Sequence, residues 1–281
     1  MSLRHGIVLF TSDRGVRPAD AARAAEANGF STFYVPEHTH IPVRRDAAHP
    51  RTGGAELPDD RYLRTLDPWV ALATAAAVTE RIELATAVAL PVEHDPITLA
   101  KTIATLDHLS GGRVTLGAGF GWNTDELADH GVPVHKRRTV LREYLELMRS
   151  LWTDEIASYT GEFASLSPSW AWPKPVRVPP VILGAKGSAR TFAWVVRSAD
   201  GWMTTPGETE FEANVELLQQ MWRDAGRGGT PRIIALAGKP DAAQLESWDA
   251  RGVTDVVFGL PDRSTDEVRS YLERLAAKLG H

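Results

Sequence analysis

Ile82-Glu83-Leu84-Ala85-Thr86-Ala87-Val88, then Asp95-Pro96, then Gly111-Gly112-Arg113-Val114-Thr115-Leu116-Gly117-Ala118 is the stretch that decides the fold. Its two ends are short, almost uncharged runs of the kind a strand shows when both faces are buried. Between them Asp95 caps a helix with Pro96 at its first position. Leu99, Ile103 and Leu106 fall on one face, and Gly111-Gly112 supplies the stop. Strand, helix, strand in so short a span is a βα unit of a parallel sheet.

The same alternation extends to both ends of the chain. The remaining strand candidates are Ile7 to Thr11, Thr32 to Val35, Val181 to Gly184, Gly201 to Thr205, Arg232 to Ala237 and Asp255 to Gly259. With Ile82 to Val88 and Val114 to Ala118 these make eight units, and an α/β (β/α)8 barrel forming a single domain over residues 1–281 is expected. Val140, Leu141, Tyr144, Leu145, Met148, Leu151 and Trp152 recur at helical spacing and read as a core-facing stripe. Two stretches exceed a minimal barrel: residues 39–65 after the second strand, rich in Pro, Gly, Arg and His, and residues 153–180 before the fifth, rich in Trp and Pro. Loops of this length in barrels commonly wall or cover a site.

Composition narrows the chemistry. The 281 residues are 43% hydrophobic with a net charge of −5, so no summed positive field gathers a nucleic-acid backbone. No cysteine is present, which removes thiolate nucleophiles and Cys-based metal sites. Neither a signal sequence nor an apolar run long enough for a membrane span is apparent, and a cytoplasmic protein with a small-molecule substrate is expected.

Barrel enzymes carry their reacting groups where strands end. Pro36-Glu37-His38-Thr39-His40 follows the second strand, Gly117-Ala118-Gly119-Phe120-Gly121-Trp122-Asn123 the fourth, and Gly184-Ala185-Lys186-Gly187-Ser188 the fifth. The last reads either as an anion cradle of backbone N–H groups with Lys186 adding charge, or as an ordinary βα turn capped by serine. His38 and His40 invite a metal reading, but no histidine lies between His135 and His281 to complete a ligand set, and no metal is expected.

Four stretches resemble the luciferase-like flavin and deazaflavin oxidoreductase superfamily. They are Pro36-Glu37-His38, Leu84 to Val88, Thr105 to Arg113 continuing into the Gly117 to Trp122 run, and Ala199-Asp200-Gly201-Trp202-Met203. They occur in the family's order and span nearly the whole chain. The resemblance is closest to the branch of deazaflavin-dependent oxidoreductases.

That resemblance implies a cis peptide joining Ala87 to Val88 in a bulge behind the coenzyme ring, with Thr86 beside it. It also implies an active-site histidine at His38, cofactor contacts at Gly119 and Asn123, and cofactor phosphate on the Gly184 to Ser188 turn. Glu37 would orient His38 or stand as a solvated rim charge. Phe120 departs from the pattern, because it aligns with a phosphate-contacting arginine in the luciferase branch and with a catalytic glutamate in sugar-phosphate dehydrogenases.

The expected function is hydride transfer between coenzyme F420 and a small organic substrate, with FMN and a luciferase-type monooxygenase as the alternative, and a cofactor-binding paralogue without turnover as the alternative of another class. His38 would handle the proton. Substrate would pack beneath Trp170, Trp172 and the 39–65 loop, and a homodimer is the expected assembly.

Overall fold

The computed structural model describes residues 3–208, 210–236 and 240–281. Eight parallel strands close into a barrel: β1 (Arg4–Leu9), β2 (Thr32–Val35), β3 (Glu83–Thr86), β4 (Val114–Gly119), β7 (Val181–Gly184), β8 (Gly201–Thr204), β9 (Arg232–Leu236) and β10 (Asp255–Leu260). Each strand pairs with its neighbours in chain order, and β10 closes the ring on β1 with Ile7 opposite Phe258. A separate antiparallel hairpin, β5 (Ala157–Thr160) and β6 (Ser165–Ser169), occupies the stretch before β7.

The helices wrapping the barrel are α1 (Pro18–Ala27), α2 (Pro68–Ala76), α3 (Pro96–Ser110), α4 (Thr124–Asp129), α5 (Arg137–Thr153), α6 (Ala189–Ser198), α7 (Phe211–Asp224), α8 (Ala242–Ala250) and α9 (Thr265–Leu279). α3 has the ends its sequence prescribes: Asp95 accepts from the Thr98 N–H, Pro96 opens the helix, and Gly111 ends it at φ 73°. α5 buries the expected stripe, including Val140, Leu141, Leu145, Met148 and Trp152, in the hydrophobic core.

Two packed regions result. One lies between strands and helices; the other fills the barrel with Tyr34, Ala85, Ile182, Met203, Ile234 and Val257. At the N-terminal ends of the strands the interior is sealed by charge. Arg232 reaches Glu83 at 2.6 Å and Asp255 at 2.7 Å, and Arg4 reaches Glu83 at 2.5 Å. Burial opposes the charge on Glu83, but Arg232 and Arg4 outweigh it and draw the carboxyl down to about 2.

Strand limits differ from the sequence reading where the backbone changes partner. The first strand starts at Arg4 and ends at Leu9 rather than running from Ile7 to Thr11. The third stops at Thr86, short of Val88, because the chain bulges there: the Ala87 N–H still bonds the Val35 carbonyl, while the Glu37 N–H crosses to the Val88 carbonyl. Ala237, the expected end of the seventh strand, lies outside the described residues. Among the described residues no helix is long and apolar enough to cross a membrane.

Candidate active site

The C-terminal ends of the strands open into a cleft of about 1020 Å³ whose lining includes Glu37, His38, Ala87, Val88, Trp122 and Tyr62. Its floor is the bulge after β3, where the peptide between Ala87 and Val88 is cis, as the resemblance implies. Three glycines make room for that bulge. A Cβ on Gly117 would stand 1.9 Å from the Thr86 carbonyl oxygen, one on Gly119 would stand 2.6 Å from Val88 Cγ2, and one on Gly184 would stand 2.3 Å from Val88 Cγ1. Gly119 and Gly184 are register partners on β4 and β7, so Val88 sits in a slot between two strand ends that have no side chains. Thr86 itself is buried, its hydroxyl donating to the Gly117 carbonyl.

His38 projects from the end of β2, and its orientation comes from a residue that sequence reasoning did not single out. Its Nδ1 lies 2.8 Å from Glu126 Oε2 on α4, a carboxylate with no exposed side-chain surface. A carboxylate only accepts, so Nδ1 carries the hydrogen, and the Nε2 lone pair accepts the Trp122 indole N–H at a long 3.4 Å. Glu126 is held in turn by the Thr39 N–H at 3.0 Å and by Asn123 Nδ2 at 3.3 Å.

Local sequence concealed this. Asn123 and Glu126 have the spacing of a helix capping box, yet Asn123 makes no side-chain cap and Glu126 turns to His38 instead. Asn123 is buried, and its Oδ1 has no partner among the described residues.

Glu37 corrects the expectation that it orients His38 or sits on the rim. Its side chain is buried and turned away, accepting from the Leu90 N–H at 2.5 Å and from His94 Nε2 at 2.7 Å. Burial pulls His94 down, but the hydrogen bond and charge of Glu37 prevail and raise it.

The 39–65 loop does wall the cleft. It brings His49 to 3.1 Å from the Tyr62 hydroxyl and stacks its ring edge-on to Trp122 at 4.7 Å. Burial, followed by the charges of His38 and Arg51, lowers His49.

Trp170 and Trp172 do not wall it. They are 72% and 61% exposed, and Trp172 lies over the Lys174 amine at 5.3 Å, while Lys174 bonds carbonyls at the C-terminal end of α5. The 153–180 stretch packs on α5 and α3, with the Phe163 N–H on Glu143, Lys136 paired with Glu162 and Lys101 donating to the Trp172 carbonyl, so these indoles stay outside the cleft lining.

The fifth-strand turn has a mixed character. The Ala185 N–H donates to the Met203 carbonyl, and Ser188 caps α6 by accepting from the Thr191 N–H, so both residues have structural tasks. The N–H groups of Lys186, Gly187 and Ser188 make no hydrogen bond among the described residues. Nearby, Arg138 lies 4.3 Å over the Phe120 ring with Nη1 buried and unpartnered, and Phe120 packs edge-on to Trp194. Burial, then Arg190 and Arg137, lowers Arg138.

The barrel thus carries a bulged third strand, a histidine bonded to a buried carboxylate and basic groups beside the fifth-strand turn. Residues 14–243 match the family described as luciferase-like monooxygenase, and the chain belongs to that family. It is 66% identical over 278 residues to an uncharacterised protein of Mycobacterium tuberculosis, covering 99% of each. To the F420-dependent glucose-6-phosphate dehydrogenase of Segniliparus rotundus it is 34% identical over 228 residues, covering 76% of this chain and 61% of the relative. The crystal structure of monooxygenase RslO1 from Streptomyces bottropensis superposes with a TM-score of 0.76 at 20% identity, covering 99% of this chain and 98% of that one.

Proposed function

We propose that the protein transfers a hydride between coenzyme F420 and a small organic substrate, with His38 taking or giving the accompanying proton. The observation that carries the reading is the 2.8 Å contact of His38 Nδ1 with buried Glu126, which turns Nε2, contacted at a long 3.4 Å by the Trp122 indole N–H, toward the cleft that the Ala87–Val88 bulge floors. When bound, coenzyme F420 supplies a two-electron hydride donor or acceptor.

The residues present fit such a group. A cleft of about 1020 Å³ is larger than a small substrate requires and suits a ring with a substrate packed on it. Its anionic tail would be met by the free N–H groups of Lys186, Gly187 and Ser188. Arg137, Arg138 and Arg190, which have no acidic partner among the described residues, would add charge, and Arg138 would supply from α5 the cation that Phe120 lacks. Asn123, with an unpartnered buried Oδ1, would take a donor of the ring or of a water beside it.

The chain's own part in the chemistry follows from His38. A substrate hydroxyl gives its proton to Nε2 as its carbon is oxidised; the imidazolium so formed is stabilised by Glu126 through the Nδ1–H, and reduction runs the same steps in reverse. His49, Tyr62 and Trp122 keep water from the reacting face. The phenyl ring of Phe120 lies between Arg138 and Trp194, so no carboxylate stands where sugar-phosphate dehydrogenases of the family keep one, and another substrate class is favoured.

The test is a titration of the apo-protein with coenzyme F420 and with FMN, followed by optical spectra. A preference of about tenfold or more, roughly 1.4 kcal/mol, for coenzyme F420 is expected. The opposite preference would transfer the protein to the FMN monooxygenase reading, and failure to bind either would remove the redox reading. Binding of coenzyme F420 without turnover with any donor or acceptor would leave a paralogue that only carries it.

A further inference from the structure

Beside His38 three glutamates from separate elements meet: Glu37 after β2, Glu93 in the turn after β3 and Glu126 on α4, with side-chain exposures of 1%, 0% and 0%. Glu37 accepts from the Leu90 N–H and His94, and Glu126 accepts from the Thr39 N–H, His38 and Asn123. Glu93 is different. Among the described residues its Oε1 has no partner, and its Oε2 has only the Thr39 hydroxyl at 3.5 Å and His130 Nε2 at 3.8 Å.

We infer that Glu93 is a positioning residue for His38, acting through Thr39 and Glu126; the inference rests on the catalytic reading of His38. A buried carboxylate without donors is costly, and two supported carboxylates beside it make the charge costlier still. Burial, then Glu126, then Glu37, push Glu93 up to about 9.

Thr39 is the joint. Its hydroxyl lies within 3.5 Å of both Glu126 Oε1 and Glu93 Oε2 and 2.7 Å from His130 Nε2, and it has a single proton to give. While Glu93 is neutral, that proton is free for Glu126 or His130. Ionised, Glu93 draws the hydroxyl to itself and adds a negative charge beside Glu126, which then holds the His38 Nδ1–H more strongly. The other titratable groups around Glu93 are its neighbours His94 and Asp95, then His130, and the His40–Asp129 pair reached through Thr39.

Side-chain nitrogen NMR of the apo-protein tests this without turnover, with the His38 signal assigned by its loss in His38→Asn. In the wild type the His38 resonances are expected to show an inflection near pH 9, as Glu93 ionises. Glu93→Gln keeps a neutral isostere and should abolish that inflection while leaving the spectrum at neutral pH unchanged, and Thr39→Val should diminish it. A wild-type His38 signal flat above pH 8, or an inflection that survives in Glu93→Gln, would overturn the inference; the wild-type curve decides even if a variant does not fold. Should the coupling be present while His38→Asn turns over normally, Glu93 still governs His38 and it is the catalytic reading of His38 that fails.

Discussion

Gly184→Ala isolates the contact that shapes the floor of the cleft. The added Cβ would stand 2.3 Å from Val88 Cγ1, more than 1 Å inside ordinary van der Waals contact. Val88 cannot step aside, because its other methyl already faces Gly119, where a Cβ would stand at 2.6 Å, and a β-branched side chain has little χ1 freedom. Overpacking of this kind costs about 1–3 kcal/mol, and a clash against a pinned side chain belongs in the upper half of that range. At roughly 2–4 °C per kcal/mol for a chain of this size, the melting temperature should fall by about 5–10 °C.

The assay is a cycle of wild type, Gly184→Ala, Val88→Ala and the double variant, each melted and each titrated with coenzyme F420. Removing the Val88 methyls should relieve the clash, with a coupling of at least about 1 kcal/mol between the sites, because they touch. Coenzyme binding should weaken in Gly184→Ala and recover in the double variant. A melting temperature unchanged in Gly184→Ala, or a loss as large in the Val88→Ala background, would refute the reasoning and return Gly184 to a role in backbone approach to phosphate.

Three further variants probe the site and the N-terminal end of the barrel. His38→Asn should leave coenzyme affinity within a few-fold while turnover falls by about 10² to 10⁴, and Glu126→Gln should move turnover in the same direction by freeing the wrong ring tautomer; normal kcat in either variant removes that residue from the mechanism. Glu83 is drawn below its ordinary value to about 2 by Arg232 and Arg4, so its contribution is present above pH 4.5 and is lost as pH falls toward 2. At about 1.4 kcal/mol per unit that is roughly 3 kcal/mol. Glu83→Gln should therefore be less stable at neutral pH and show a flatter decline on acidification, whereas parallel melting curves from pH 7 to pH 2 would contradict it.

Much of the architecture was legible along the chain. The run from Ile82 to Ala118 carried its own start, stop and period, and α3 has the Asp95 cap and Gly111 exit that its residues require. His38 was legible as a polar residue at a strand end, the position where barrels expose chemistry. The hairpin of β5 and β6 was not, since Ser165-Leu166-Ser167-Pro168-Ser169 has neither β-branched residues nor a buried face to mark it. Trp170 and Trp172 misled for a related reason: an indole in a long loop suggests a wall, and only the path of the chain after α5 shows that this loop lies on the flank.

The sequence by itself determined the barrel strands, their order and the closing of a parallel barrel, because strand and helix periods are local and burial of both strand faces allows few arrangements. Tertiary structure alone decided which carboxylate serves His38. Glu37 is the adjacent residue and faces away; Glu126 is 88 positions distant and makes the bond. Successive residues at a strand end point to opposite sides of the backbone, so adjacency separates Glu37 from His38, while barrel closure brings the end of β2 against the helix that follows β4.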